Sequence, residues 1–363
     1  MIIESLELSD YRNYDTLSLK FDNGINILYG DNAQGKTNIL EAMYLCSTTK
    51  SHRGSKDKEI IRLGTDESHI RMMTGKDGIS HKIDMHLKKN KPKGIAMDGI
   101  PIRKSGELLG FIHIVFFSPE DLSIIKNGPG ERRRFIDMEL CQLDKVYLYN
   151  LSKYNKIITQ RNNLLKQINY SDSLRDTLEV WDQQLVVCGR EVIKARKKFI
   201  EQLNSIIFGI HKKLSGGREE LVIQYEPNVT ADVFEDKLKK SRDRDIQSRM
   251  TSVGPHRDDI IFMIGDIDIR RFGSQGQQRT SALSLKLSEI ELVRRVIKDE
   301  PILLLDDVLS ELDRNRQTYL LDSIDNIQTF VTCTGLEEFV NQRIQINKTF
   351  HVVEGSVMEK LSD

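Results

Sequence analysis

The chain lacks several features that would place it outside the soluble interior of a cell. No apolar run approaches the roughly 20 residues needed to cross a bilayer, so no membrane span is expected. The first residues, Met1-Ile-Ile-Glu-Ser-Leu-Glu7, carry neither a basic n-region nor an apolar h-region, so secretion is not expected either. Cysteine is scarce. Cys46, Cys141, Cys188 and Cys333 stand far apart, outside any CxxC or Cys/His spacing, and are expected to be reduced core thiols of a cytoplasmic protein. There is no excess of charge: Lys+Arg and Asp+Glu balance at 54 each, so binding to a polyanion must come from local patches. Apolar a and d positions are not sustained over several heptads, which excludes a long coiled coil. Neither an internal repeat nor a low-complexity segment interrupts the 363 residues.

The composition is that of a globular protein, 39% hydrophobic and 30% charged, long enough for two compact units. Alternation predicts strands at 2–8 and 17–21, and a short buried strand at 25–29 runs straight into Gly30. A helix is expected over 37–44. Strands at 69–73, 80–87 and 94–102 form a β-rich flank, followed by an apolar strand at 112–117. The period then changes to 3.6, predicting long helices over 131–168 and 173–214, broken at Asn169-Tyr-Ser-Asp172. Strands return at 221–225, 260–264 and 267–269, with a charged segment at 237–244 between them. A helix over 281–298, a strand at 301–305, a helix over 317–324 and a strand at 329–333 complete the pattern.

The run Gly30-Asp31-Asn32-Ala33-Gln34-Gly35-Lys36-Thr37 matches G-x-x-x-x-G-K-[ST] in full. Its glycines let successive amides curl into an anion cradle. Lys36 is then expected to reach the outer phosphates of ATP or GTP, and the Thr37 hydroxyl to ligate Mg²⁺. The following helix offers its positive end to the same phosphates. Ile302-Leu-Leu-Leu-Asp306-Asp307 is the natural companion. Four apolar residues before a carboxylate could be a plain core strand. After a P-loop they suit Asp306 as a second Mg²⁺ holder and Asp307 as a general base orienting water. Phe272-Gly-Ser274-Gln-Gly276-Gln277-Gln278-Arg279 admits two readings: a polar cap for the helix starting near Thr280, or a second phosphate-binding helix end.

Strand, P-loop, helix, long insertion, Ser-Gln-Gly-Gln-Gln-Arg, Leu-Leu-Leu-Asp-Asp and Ser310-Glu-Leu-Asp313 together resemble the ABC-type ATPase head shared by SMC and Rad50-like DNA-maintenance proteins. In that group the signature of one subunit completes the ATP site of its partner, and 310–313 resembles the D-loop crossing the same interface. Within the group the sequence is most similar to the RecF family of bacterial recombination mediators. The carriers are Tyr11-Arg12-Asn13-Tyr14, the P-loop with Asn38, Phe117-Ser-Pro-Glu-Asp121, Glu131-Arg-Arg-Arg-Phe-Ile-Asp137 and Gly254-Pro-His-Arg-Asp-Asp259.

This resemblance implies an α/β fold. Residues 1–117 and 296–363 would form the ATPase lobe, and 118–295 a mainly helical second lobe carrying the signature. It implies Arg12, Asn13 and Asn38 beside the nucleotide, and Ser274, Gly276 and Gln277 contributed in trans. It also implies an ATP-dependent homodimer on double-stranded DNA or single/double-strand junctions, working with RecR and RecO at the nucleoid. Two departures from the wider pattern stand out. Asp307 replaces the usual Glu, and no glutamine stands at Ser118 or histidine near Thr332-Cys-Thr334, so weak ATPase activity suited to a switch is expected.

Basic clusters occur at 50–58, 88–93, 132–134, 194–198, 237–244 and 270–271. Each alone is more often a solvated face, and 132–134 could pair internally with Glu131 and Asp137. No aromatic-interleaved basic run suggests stacking on single strands, which favours backbone reading of duplex. Rivals are a transporter's nucleotide-binding subunit, an ABC-headed nuclease, a full SMC machine and a scaffold for protein partners in which ATP is structural. The first would carry the missing glutamine and a shorter insertion, the second an acidic metal-binding domain and the third a coiled coil.

Overall fold

The computed structural model describes residues 1–168, 172–324, 326–336 and 346–360. In chain order the first elements are β1 (Ile2–Tyr11), β2 (Tyr14–Lys20), β3 (Ile25–Tyr29), α1 (Lys36–Thr48), α2 (Asp57–Ile60), β4 (Glu67–Lys76), β5 (Ile79–Lys88), β6 (Gly94–Met97), β7 (Ile100–Pro101) and β8 (Ile114–Phe117). Helices follow: α3 (Leu122–Lys126), α4 (Pro129–Leu143), α5 (Lys145–Ile168) and α6 (Leu178–Leu214). Then come β9 (Leu221–Glu226), α7 (Phe234–Lys240), α8 (Arg242–Ser248), β10 (Asp259–Ile264), β11 (Ile267–Asp268), α9 (Ile269–Phe272) and α10 (Gln275–Ile297). The last are β12 (Ile302–Asp306), α11 (Arg314–Ser323), β13 (Thr329–Cys333), β14 (Lys348–Val353) and β15 (Ser356–Lys360). Two compact units result, Met1–Asp121 with Glu289–Asp363, and Leu122–Ser288.

The first unit holds two six-stranded sheets. One, in the order β2-β1-β4-β5-β6-β7, is antiparallel and alternates apolar-in, polar-out. The other runs β15-β14-β3-β13-β12-β8, with every pairing parallel except that of β14 with β15. Its central strands β12 and β13 are buried along their whole length because both faces are covered. Helix α1 touches strands of both sheets, and Ile39, Leu40, Met43, Leu45 and Cys46 are wholly buried with Leu6, Ile70, Leu304 and Phe330. A helix so enclosed has little amphipathic character.

The second unit is built on α5 and α6. They run antiparallel, since Tyr154 lies against Gly189, Arg161 bonds Asp182, and Leu165 clusters with Leu178. A three-stranded sheet, β11-β10-β9, completes it. Its interior carries charge. Arg161, wholly buried, donates to Asp182 (2.6 Å), Asp245 (2.8 Å) and Thr251 (2.8 Å). Arg196 donates to Asp137 (2.7 Å), Asp258 (2.9 Å) and the Pro255 carbonyl (2.6 Å). Buried guanidinium groups need such partners, because desolvating an unpaired charge costs several kcal/mol.

Five expectations change. The strand over 94–102 is the antiparallel hairpin of β6 and β7, because Asp98 and Gly99 both take positive φ in the turn. The helix over 131–168 is two helices, because the Asp144 carboxylate accepts the amides of Val146 and Tyr147 and so caps α5 afresh. The charged segment at 237–244 is helical, with Phe234 and Leu238 buried four residues apart on one face. Helix α10 begins at Gln275 rather than near 280. Strands β14 and β15 were not expected. The break at Asn169-Tyr-Ser-Asp172 falls on 169–171, outside the described residues.

Candidate ATP site

Parallel strands β3, β13 and β12 end on one edge of their sheet, the place where open α/β sheets take ligands. The P-loop leaves β3 there. Gly30 has φ +146°, and a Cβ on it would lie 2.3 Å from the Val352 carbonyl oxygen. At Gly35 (φ +114°) a Cβ would strike the Asn13 amide at 2.5 Å. Neither position admits a side chain. No side chain caps α1 at Gly35, and its first turn holds no acid, so its opening amides and dipole face the loop.

The Lys36 ammonium donates to the carbonyls of Gly30 (2.5 Å) and Asp31 (2.7 Å), which hold it at the loop. Burial lowers its pKa, opposed by the negative charge of Asp307, Cys333, Asp306 and Asp31. Thr37 donates its hydroxyl to Asp306 Oδ1 at 2.8 Å, across residues far apart in sequence. Burial raises the pKa of the Asp306 carboxyl, while the hydroxyls of Thr332 and Thr37 oppose the shift. These hard oxygen donors at the P-loop fit Mg²⁺, which prefers one or two carboxylates beside phosphates to an all-protein cage. Asp307 follows in the left-handed region (φ 53°), which Asp tolerates better than most residues. Its amide donates to Thr332 Oγ1 at 3.0 Å.

Asn13 touches the loop: its Nδ2 donates to the Gln34 carbonyl (2.9 Å), and its Oδ1 accepts from Asn38 (2.8 Å). Arg12 makes a fork with Glu41, at 2.8 and 2.7 Å, and also donates to Ser55. The structure thus ties the guanidinium to α1. Burial would raise the Glu41 pKa, yet Arg12 and Ser51 hold it below the ordinary range. Asn32 and Ala33 complete the loop, with Ala33 at φ 63°. Ser310 Oγ donates to the Asp307 carbonyl (2.8 Å), linking the D-loop-like segment to the paired acids.

Ser274, Gly276 and Gln277 belong to the second unit. There they form a capping box at the start of α10: the Gln277 amide donates to Ser274 Oγ (3.2 Å), and Gln277 Oε1 accepts the Ser274 amide (2.9 Å). Gln277 also donates to Glu219 (2.9 Å). Ser274 and Gly276 are exposed, and Phe272 beside them is 77% exposed.

Sequence reading assigned no role to Thr332 or to the turn between β14 and β15. Thr332, on the strand between β3 and β12, donates to Asp306 Oδ1 at 2.7 Å. At the turn, the amides of Glu354 and Gly355 donate to Gln34 Oε1 (2.5 Å) and the Gln34 carbonyl (3.3 Å). Glu354-Gly355 between two apolar alternating runs is a hairpin signal that could have revealed it.

Several basic clusters are internal. Arg132 grips Asp259 with two bonds (2.6 and 2.9 Å) rather than Glu131 or Asp137, and Arg133 donates to the Asp258 carbonyl. Arg196 lies in the core, and Arg242 is paired with Asp182 and Glu179. The segment 254–259 is therefore a scaffold for buried arginines. Lys50, Arg53, Lys56 and Lys58 remain exposed.

A P-loop strand, a carboxylate two strands away and a serine-glutamine helix cap within a second, largely helical unit define an ABC-type ATPase head of the SMC kind. The family model for the RecF/RecN/SMC N terminal domain matches residues 2–357. The chain is 66% identical to the DNA replication and repair protein RecF of Lachnoclostridium phytofermentans, covering 98% of this chain and 99% of the relative. The solved structure of the recombination mediator protein RecF with ATP, in the RecFOR pathway, is 35% identical, with TM-score 0.91 over 99% of this chain and 98% of that one. An Smc head domain from Pyrococcus furiosus, 17% identical, shares the fold at TM-score 0.57 over 99% of this chain and 96% of that one. The chain belongs to the RecF family.

Proposed function

We propose that the chain is a recombination mediator of DNA replication and repair that binds MgATP and uses it to close two copies of itself around DNA. The observation that carries this reading is the exposed start of α10. Ser274, Gly276 and Phe272 face solvent beside amides able to take an anion. In the proposed dimer, Ser274, Gly276 and Gln277 of a second copy reach the phosphates held by residues 30–38. Thr37 and Asp306 hold Mg²⁺, which supplies charge neutralisation for the phosphates. Asp307 orients water at the end of a shorter arm than Glu, so hydrolysis is slow and serves as a switch. Duplex DNA or a strand junction is bound through phosphates, without sequence preference. RecR and RecO are the expected partners, from the RecFOR pathway named for the ATP-bound relative.

Light scattering with ATP, with ADP and without nucleotide, each with and without gapped duplex, tests the reading. Dimers should form with ATP alone. Ser274→Arg should keep ATP affinity and stay monomeric, and Lys36→Ala should lose both. Nucleotide-independent mass and DNA affinity in all three proteins would point to a scaffold instead.

A further inference from the structure

The antiparallel sheet of the first unit carries a second cluster of ligating side chains. His69 on β4 and His86 on β5 are direct cross-strand partners, and Glu67 lies diagonal to His86 on the same outward face. The imidazoles stack, with centroids 3.9 Å apart and planes 23° from parallel. Glu67 Oε2 lies 2.6 Å from His86 Nε2. One ligand atom from each of the three residues falls within 4.8 Å of the others.

We infer that Glu67, His69 and His86 form a binding site for a divalent transition metal, zinc being the best match. Two imidazoles and one carboxylate are a common zinc donor set, and zinc bound at about 2.0–2.1 Å in tetrahedral array separates its ligands by about 3.3 Å. The three donor atoms, within 4.8 Å of one another, lie within about 1.5 Å of that spacing. Imidazole donors favour zinc over magnesium, which separates this site chemically from the oxygen donors at the P-loop. Gly94 opposes His86 on β6 and places no side chain over the ring. Both histidines line a concavity of about 730 Å³ on this face, so the fourth coordination position opens to solvent. Lys88 competes, since its ammonium lies 3.0 Å from Glu67 Oε1. Bound zinc would fasten β4 to β5 through side chains as well as the backbone ladder.

The test is titration of the chelator-treated full-length chain, saturated with MgADP, with zinc by calorimetry and with cobalt by visible absorption. One ion per chain is expected, with the absorption of a four- or five-coordinate nitrogen-oxygen site. His69→Ala and His86→Ala should each weaken binding at least about tenfold, as loss of a direct ligand should cost no less than loss of an outer-shell partner. Lys88→Ala, which releases Glu67 from its ammonium, should tighten binding. Absence of binding, binding unaffected by both histidine variants, or weaker binding in Lys88→Ala would each overturn the assignment; the last would show that these residues form only a cross-strand ion-pair network. Failure here leaves the P-loop reading intact.

Discussion

The Thr332 hydroxyl joins the two acids of the candidate site: it donates to Asp306 Oδ1 at 2.7 Å and accepts the Asp307 amide at 3.0 Å. One side chain from the strand between P-loop and carboxylate thereby ties the Asp306 carboxylate to the Asp307 backbone, the two residues proposed to hold Mg²⁺ and to orient water. Thr332→Val keeps the shape and removes both bonds. Single-turnover hydrolysis should fall about tenfold or more, in line with the loss of a positioned group, while ATP affinity stays within about twofold. Thr332→Ser should restore most of the rate. Equal rates in all three proteins would mean that Thr332 is only a core residue.

Asp306 should cost the fold stability. Burial raises its pKa, so the native chain holds this proton to higher pH than the unfolded chain. Stability then falls as pH rises from the unfolded value through the folded one, and the deficit persists at neutral pH. Asn keeps an Oδ1 to accept both hydroxyls. Asp306→Asn should therefore raise the melting temperature of the nucleotide-free protein by about 1–3 °C at pH 7.5, while abolishing magnesium-dependent hydrolysis. A lower melting temperature would refute the linkage.

His256 predicts acid sensitivity of the second unit. Burial lowers its pKa to about 4; Nε2 lies 3.0 Å from the Thr251 carbonyl and Nδ1 lies 2.7 Å from the Tyr154 hydroxyl. A histidine with a depressed native pKa contributes stability above its unfolded value of about 6.5. That contribution is lost progressively as pH falls from about 6.5 towards about 4. The urea midpoint followed by fluorescence of Trp181, in the second unit, should drop between pH 7 and 5. The drop should be shallower in His256→Gln.

Arg161→Leu should be strongly destabilising, by about 3–5 kcal/mol, because it takes the guanidinium from the buried Asp245 and leaves the buried Asp182 with Arg242 alone. Trp181, next to Asp182 in sequence, reports the transition directly. A loss below about 1 kcal/mol would show that the carboxylates find other partners or take up protons.

Charge reversal at the exposed Lys56 and Lys58 should weaken duplex binding equally across sequences and lower the salt slope by about one for each phosphate no longer neutralised. Changes at Arg132 or Arg196 should act through folding, visible as a shifted melting temperature before any change in salt slope.

Much of the candidate nucleotide site was legible because its determinants are local. A P-loop needs its glycines, lysine and threonine in one unbroken run, and Asp306 needs only a buried strand before it. Asn13 was reachable through family likeness, and the structure sets it against Gln34. Thr332 was not legible, since its role depends on β13 lying between β3 and β12, which is a fact of strand order. The arginines at 132 and 196 misled for a related reason. A basic run looks solvated in one dimension, while their carboxylate partners lie far along the chain.

The turn at Glu354 and Gly355 closes on Gln34, across more than three hundred residues of chain. A polypeptide emerging from the ribosome makes its P-loop early, yet cannot brace it until this distant turn has also been synthesised. The hydrogen bonds that brace Gln34 from this turn are thus deferred until late in translation.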